Sequence, residues 1–148
     1  MTTLSNSQLF EWPIRVYYED TDAGGVVFYA NYLRFMERAR TEWLRSLGFE
    51  QDKLMQDPGV MFAVRRTEMD YRAPARFNDE LSVITRVDKL SGASITFAQQ
   101  IFRCGEGQPL VEGLVQVACV TTEMKPARIP MRCSTATPRP PPLPRIAR

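Results

Sequence analysis

The chain has 148 residues, of which 44% are hydrophobic and 24% charged, and a formal net charge of +2. A chain of this length forms one domain that buries roughly 70% of its unfolded surface, and the composition is that of an ordinary globular protein. The small net charge argues against nucleic acid and against a membrane surface as partners. No apolar run approaches the ~20 residues that span a bilayer, so no transmembrane segment is predicted.

Both ends of the chain differ from its central part. Residues 1–11 lack the basic and apolar regions of a signal peptide and are predicted to be a flexible leader, which places the domain at residues 12–132. Residues 133–148 are rich in proline and arginine and hold few core-forming side chains, so we predict a disordered or polyproline-like tail. The run PRPPPLPR has the form of an SH3-domain ligand, but we favour an inert tail.

The chain has three cysteines and no histidine. Cys104, Cys119 and Cys133 are odd in number and lack metal-ligand spacing, which favours reduced thiols in a cytoplasmic protein. Cys119 alternates with Val115 and Val117 and is predicted to lie in the core. Without histidine the chain has no Ser-His-Asp triad and no histidine-bound zinc, and we expect neither a metal nor a cofactor.

Residues 12–48 predict a strand, a carboxylate-rich loop and a long amphipathic helix. Ile14, Val16 and Tyr18 alternate with polar residues, which predicts a strand through Tyr18. Beyond the loop, apolar residues recur at helical spacing, with Asn31 as the predicted N-cap and Gly48 as the left-handed residue at the C-terminus.

Charged residues follow the outer face of this predicted helix. Arg38 and Glu42 are four residues apart, a spacing that predicts an ion pair. Glu37 has arginines at positions 34, 38 and 40, so we expect it to be salt-bridged.

Four further strands are predicted from alternating apolar residues: 60–71, 80–90, 94–103 and 110–122. A polar connector with a turn at Asp57-Pro58-Gly59 separates the helix from the first of them. One helix and a five-stranded, mostly antiparallel sheet make an α+β domain.

The loop between the first strand and the helix holds the candidate chemistry. Asp20, Asp22, Gly24 and Gly25 lie just before a helix N-terminus, where free backbone N–H groups and the helix dipole stabilise negative charge. A carboxylate facing such donors is able to attack a polarised carbonyl or to activate water against it. The alternative is a loop whose aspartates only cap the helix.

Three sequence blocks carry a resemblance to a known family: YYEDTDAGGVVFYANYLRFMERARTEWLR at residues 17–45, YRAPARFNDEL at 71–81 and KPARIP at 125–130. They resemble the acyl-CoA thioesterases of the 4-hydroxybenzoyl-CoA thioesterase superfamily, most closely the Tol–Pal-associated YbgC family. The resemblance implies a hotdog fold, in which the sheet wraps around the long helix, and acyl-CoA thioester hydrolysis. It also implies that Asp22, the second acid of DTD, is the catalytic carboxylate.

One position departs from the common pattern. Many members of this family have His seven residues after the catalytic Asp, where this chain has Tyr29. The 4-hydroxybenzoyl-CoA thioesterase branch also has Tyr there, and its backbone N–H polarises the thioester carbonyl. The resemblance therefore implies the same role for the Tyr29 N–H.

The resemblance also suggests where the substrate lies. The acyl group is expected against the start of the second strand, around Met61, Phe62 and Ala63. The expected neighbours of the CoA phosphates are Lys125 and Arg128 in the block at 125–130, together with the turn at residues 91–94. The predicted substrate-binding residues are Gly25, Val27, Met61, Phe62, Ala63, Ser94, Lys125 and Arg128.

The expected assembly is a homodimer or homotetramer with each active site at a subunit boundary, because one helix cannot cover both edges of a five-stranded sheet. A second function class stays open: a catalytically weak hotdog module that binds an acyl carrier protein or an envelope-biogenesis partner. A hotdog dehydratase is disfavoured by the missing histidine.

Overall fold

The structure of the chain is a computed structural model that describes residues 3–4, 8–130 and 132–133, with side chains from 8 to 130. The predicted tail, apart from Cys133, lies outside the described residues. The elements in chain order are β1 (Thr3–Leu4), β2 (Phe10–Arg15), a 3₁₀ turn (Tyr18–Asp20), α1 (Asn31–Ser46), α2 (Gln51–Gln56), β3 (Val60–Tyr71), β4 (Glu80–Leu90), β5 (Ser94–Arg103), β6 (Pro109–Thr121) and β7 (Arg132–Cys133).

Five of these strands form one antiparallel sheet in the order β2-β4-β5-β6-β3. β2 and β3 are its two edges, and β2 includes the last two residues of the predicted leader, Phe10 and Glu11. The two-residue strands β1 and β7 pair in parallel with each other.

Helix α1 lies against one face of this sheet and forms the core with it. Its residues Phe35, Met36 and Ala39 are fully buried, and Trp43 packs edge-on against Phe97 of β5 at 5.1 Å between ring centroids. The core face of the sheet supplies valines, isoleucines and leucines, and the predicted core residue Cys119 is also buried there. The α+β hotdog architecture is therefore confirmed.

Strand β3 carries a bulge that changes which residues face the helix. Its register against β6 shifts between Val64 and Arg66. Phe62 and Val64 lie opposite core-facing residues of β6 before the bulge, and Thr67, Met69 and Tyr71 do so after it. An uninterrupted strand alternates strictly, so the bulge is what keeps both halves on one face.

Two local predictions about the helical region are corrected and one is confirmed. The predicted connector contains the helix α2, whose six residues bury only Leu54 and so show no helical period. Glu42 pairs with Arg45 and not with Arg38, whose guanidinium lies 5.8 Å from the Phe35 ring centroid. The C-terminal prediction holds, because Gly48 has φ of +92°.

Candidate active site

The chain leaves β2 by a tight turn and not by an extended strand. The carboxylate of Asp20 is buried and accepts the Tyr17 N–H at 2.8 Å, which closes the 3₁₀ turn. Tyr18 is 76% exposed and stacks on Phe77 at 3.8 Å, so the prediction of a strand through Tyr18 was wrong. The Tyr17 N–H donates to the Asp20 side chain and not to a neighbouring strand. The alternation of apolar residues does not show such a contact, so it did not reveal where the strand ends. Asp20 is thus a structural residue.

Three hydrogen bonds hold the loop against the rest of the domain. The Val27 N–H donates to the Ala75 carbonyl at 2.8 Å, and the Phe28 N–H donates to the Asp20 carbonyl at 2.9 Å. The buried side chain of Asn31 donates its amide to the same Asp20 carbonyl at 2.9 Å. Ala30 occupies the N-cap position, so Asn31 is not the N-cap but the first helical residue, fastened to the loop.

The carboxylate of Asp22 lies exposed at the tip of this loop. Its Oδ1 accepts the Gly24 N–H at 2.8 Å, and its carbonyl accepts the Gly25 N–H at 3.0 Å. Gly25 has φ of +81°, a backbone conformation that suits glycine. The second oxygen of Asp22, Oδ2, has no partner among the described residues and is free to act on a ligand.

The start of α1 leaves backbone donors free. Sequence reasoning placed the oxyanion donors at residues 27–29, but the N–H groups of Val27 and Phe28 are used by the fold. In the described part of the chain, the N–H groups of Tyr29 and Ala30 have no hydrogen-bond partner. Ala30 was missed because the sequence does not show where the first helical hydrogen bond forms. These two donors sit at the positive end of the α1 dipole.

Aromatic rings surround the free donors. The ring of Tyr29 contacts Phe28 at 4.9 Å and Tyr71 of β3 at 6.1 Å, and Tyr71 also contacts Tyr32. Tyr32 accepts the Ala75 N–H through its hydroxyl at 3.0 Å, and burial raises its pKa above the ordinary value. Burial, with a smaller effect of Tyr29, also raises the pKa of Tyr71. Both phenols therefore stay protonated at neutral pH and cannot serve as the base.

The predicted phosphate-binding residues meet at the other end of the sheet. The Ile129 N–H donates to the Gly92 carbonyl at 2.9 Å, which places the block at 125–130 beside the turn at 91–94. Ser94 contacts Ser91 through its hydroxyl at 2.6 Å. Lys125 has only a loose ion pair with Glu123 at 3.6 Å, and among described residues no carboxylate lies within 4 Å of the Arg128 guanidinium. Both cations are exposed.

A groove between α1 and β3 separates these two ends. Phe62 and Val64 line it together with Glu37 and Arg40 of α1, while Met61 and Ala63 alternate with them and belong to the opposite face of the strand. Glu37 is not salt-bridged as expected. Its carboxylate accepts the Thr41 hydroxyl at 3.2 Å, and no cationic nitrogen of the described residues lies within 4 Å of it.

A single chain keeps the loop and the phosphate-binding residues apart. Tyr29 lies next to Tyr71 at the end of β3, whereas Lys125 and the 91–94 turn lie beside the start of β3 near Val60. At about 3.3 Å per residue, nine residues of strand from Phe62 to Tyr71 span roughly 30 Å. The complete predicted site is therefore not assembled from one copy in a compact pocket.

The described residues hold neither a cluster of metal-ligating side chains nor a membrane-spanning helix. No three side chains of the His, Cys, Asp and Glu types are grouped there as a metal would require. None of the described helices is long and apolar enough to cross a membrane.

Comparison with known proteins identifies the family. The family model described as thioesterase superfamily matches residues 24–109, a range that includes Gly24, Gly25, Tyr29 and all of α1. The chain is 48% identical over 126 residues to the acyl-CoA thioester hydrolase YbgC of Escherichia coli O6:H1, covering 84% of this chain and 92% of that protein. This chain belongs to the thioesterase superfamily, with the YbgC acyl-CoA thioesterases. The YbgC acyl-CoA thioesterase of Haemophilus influenzae is 45% identical over 128 residues, 86% of this chain and 93% of that one.

Solved structures agree with this family. A probable thioesterase from Bartonella henselae is 36% identical and superposes with a TM-score of 0.77, covering 82% of this chain and 99% of that chain. The YbgC resemblance inferred from the three sequence blocks is thereby confirmed.

Proposed function

We propose that this protein hydrolyses the thioester of small or medium acyl-CoA molecules to a free acid and a thiol, with Asp22 as the catalytic carboxylate. One observation carries the proposal. The same short loop presents a carboxylate oxygen without a protein partner and, at the start of α1, the free N–H groups of Tyr29 and Ala30.

The Tyr29 N–H binds the thioester carbonyl oxygen in this mechanism, and the Ala30 N–H lies next to it in sequence as a second donor. As a nucleophile approaches, negative charge develops on that oxygen, and donors already fixed at a helix N-terminus stabilise it without reorganisation. Asp22 Oδ2 either attacks the carbonyl carbon, giving an enzyme anhydride and the free thiol, or takes a proton from water that attacks instead. Water completes the first route by hydrolysing the anhydride.

The substrate-binding part of the proposal rests on the predicted residues. Gly25 lies beside the reacting carbonyl, and the groove between α1 and β3 receives the acyl group, with Phe62 in its far part. Met61 and Ala63 face the other side of β3, and Val27 is buried in the core, so these three support the site without lining it. Ser94, Lys125 and Arg128 bind the phosphates of CoA, since exposed cations without a close carboxylate suit phosphate.

A homodimer completes the site in this proposal. The outer edge of β3 is unpaired within the described chain, and its twelve residues suffice for pairing with a second copy. Antiparallel pairing of two β3 strands brings the start of one strand beside the end of the other. The Lys125–Arg128 end of one copy then lies near the Asp22 loop of its partner. A homotetramer would add a further interface to this dimer.

The remaining expectations follow from the reaction. Hydrolysis of a thioester needs no cofactor beyond the CoA of the substrate, so none is proposed. The proposed compartment is the cytoplasm, where acyl-CoA is made and cysteines stay reduced. An acyl carrier protein, which presents the same type of thioester, is a second proposed source of substrate.

Asp22→Asn tests the assignment with a panel of short aliphatic, long aliphatic and aromatic acyl-CoA substrates and a thiol-detecting reagent. The variant should fold and bind substrate normally and lose about 10²-fold or more in kcat, roughly 3 kcal/mol of transition-state stabilisation. Glu19→Gln is the matched control, because Glu19 is an exposed carboxylate of the same region without a partner among the described residues.

Near-wild-type turnover by Asp22→Asn would refute the assignment and direct attention to Glu37. A chain that releases no thiol from any substrate would instead favour the binding module. Single-turnover hydrolysis in ¹⁸O water separates the two chemical routes, since direct attack leaves label in the Asp22 carboxylate.

A further inference from the structure

The groove between α1 and β3 leads away from the free N–H of Tyr29. Tyr29 lies just before α1, one turn ahead of Leu33, and the helix lines the first part of the groove with Leu33, Arg34, Glu37 and Arg40. This part has a volume of about 370 Å³ and is walled by Val64, Thr67 and Val115 of the sheet. It is thus an open, mainly apolar channel that starts one helical turn from the proposed oxyanion donors.

A second, smaller cavity continues the groove beyond Arg40. It has a volume of about 90 Å³, and Arg40, Glu37 and Val64 border both cavities. Its remaining walls are mainly apolar and include Leu44, Phe62, Phe97 and Val117. Arg40 therefore stands between two apolar compartments.

Arg40 is an unusual side chain for this place. It is only 9% exposed, and desolvation lowers its pKa to about 10. Its Nη1 donates to Gln99 Oε1 at 2.9 Å, and no carboxylate of a described residue lies within 4 Å. The remaining guanidinium nitrogens have no protein partner, yet they are not among the fully buried atoms. They keep solvent contact, and the groove is the space that borders them.

The length of the channel follows from the helix. Eleven residues from Tyr29 to Arg40 correspond to about 16 Å at 1.5 Å per residue. Arginine side chains on a helix lean toward its N-terminus, which shortens the path by several ångströms. Carbon–carbon bonds of about 1.5 Å at about 111° advance an extended chain by about 1.25 Å per carbon, so roughly eight to twelve carbons reach Arg40.

We propose that the acyl chain runs along this groove and that Arg40 ends the acyl site, so that the enzyme accepts unbranched chains of up to about ten carbons and rejects longer ones. The inference rests on the proposed function and adds the substrate class. A longer alkyl chain must press its methylene groups against a partly hydrated guanidinium and remove its water, which is unfavourable without a new hydrogen-bond partner. Shorter chains fill only the first compartment.

The test compares saturated acyl-CoA substrates of 4, 8, 12 and 16 carbons with the wild-type protein and with Arg40→Met. For the wild type we expect kcat/KM to fall at least about tenfold between 8 and 16 carbons. Arg40→Met replaces the charge by an apolar chain of similar length and should raise kcat/KM for 16 carbons about tenfold, while the value for 4 carbons changes less than about threefold.

Two further variants keep the result interpretable. Arg40→Gln removes the charge but keeps an amide donor for Gln99. It therefore tests the same idea if Arg40→Met has a much lower Tm than the wild type. Arg38→Met makes the same substitution on the exposed face of α1 and should leave the chain-length profile unchanged.

Each outcome decides one claim. A profile that Arg40→Met and Arg40→Gln leave unchanged, with normal hydrolysis of short chains, overturns the role of Arg40 alone. Absence of hydrolysis at every chain length in the wild type overturns the acyl-chain site, and the proposed function itself falls if the aromatic acyl-CoA is not hydrolysed either. Preference of the wild type for 16 carbons over 8 also refutes the limit.

Discussion

The two ends of β3 differ in the chemical groups that they present. At the Tyr71 end, one exposed carboxylate and two free backbone N–H groups lie in a loop that three hydrogen bonds fix in place. At the Val60 end, Lys125 and Arg128 are exposed cations on a segment held by its backbone. Reaction chemistry needs fixed donors, whereas phosphate binding needs charge within reach, so the first end tolerates much less movement than the second.

After Asp22→Asn, the largest expected effect in this comparison concerns the cationic end. Lys125→Glu combined with Arg128→Glu should raise KM for an acyl-CoA about tenfold and change kcat less than about twofold, because phosphate contacts act equally in the ground and transition states. The matched control is the acyl-pantetheine thioester, which lacks the phosphates and should be hydrolysed equally by both proteins. An equal loss on both substrates would show that the charges act on folding or on chemistry.

Mixed dimers test whether the two ends belong to one site. A chain with Asp22→Asn and a chain with Lys125→Glu and Arg128→Glu are co-expressed with different tags, and the mixed dimer is isolated. If the site combines the Asp22 loop of one copy with the cations of its partner, one of the two sites is intact. At low substrate concentration activity should then exceed the mean of the parent homodimers by roughly fivefold or more.

Activity equal to that mean would place both ends of the site in one chain. A single-chain mass by light scattering at micromolar concentration would contradict the dimer itself.

A smaller effect is expected at Tyr29. Tyr29→Phe removes the hydroxyl and keeps the backbone donor, so kcat should fall less than about fivefold. The ring contacts with Phe28 and Tyr71 do not require the hydroxyl. A loss comparable with that of Asp22→Asn would assign the chemistry to the phenol and not to the N–H.

The smallest effect is expected from the tail. Truncation after Cys133 keeps both residues of β7 and removes Arg139, Arg145 and Arg148. Because few apolar residues are lost, Tm should change by no more than a few degrees, and KM for an acyl-CoA less than about twofold. A rise in KM beyond twofold with an unchanged Tm would show that the tail arginines contribute to phosphate binding at the cationic end.

Much of the fold could be predicted from the alternation of apolar residues. β3, β4 and β5 have the predicted bounds, and β6 differs by one residue at each end, because turn residues bound each of these alternating segments. The misses are short elements governed by single contacts. The 3₁₀ turn depends on the Asp20 carboxylate, and α2 buries one leucine, so neither has a period to detect.

The sequence predicted which loop holds the candidate site but not the geometry of that loop. The spacing of Asp22 and Tyr29 marked the loop, but only the structure shows that the fold uses the Val27 and Phe28 N–H groups and leaves those of Tyr29 and Ala30 free. The sequence analysis identified Arg40 only as one of the arginines near Glu37. Its burial depends on Gln99, which is 59 residues away, and such a long-range contact has no local signal.

The bulge in β3 has a consequence for how this protein can vary. Before the bulge, the even-numbered residues Phe62 and Val64 face the groove. After it, the odd-numbered residues Thr67, Met69 and Tyr71 face α1. The sulfur of Met69 occupies the space above Gly113, where an added Cβ would come within 2.4 Å of it, so these strands cannot slide easily past each other. Deleting Arg65 would remove the extra residue and leave both halves on the same face, whereas a one-residue insertion or deletion elsewhere in β3 would turn one half of the strand outward. Single-residue insertions and deletions outside the bulge should therefore be rejected, and the groove should diversify mainly through side-chain replacements.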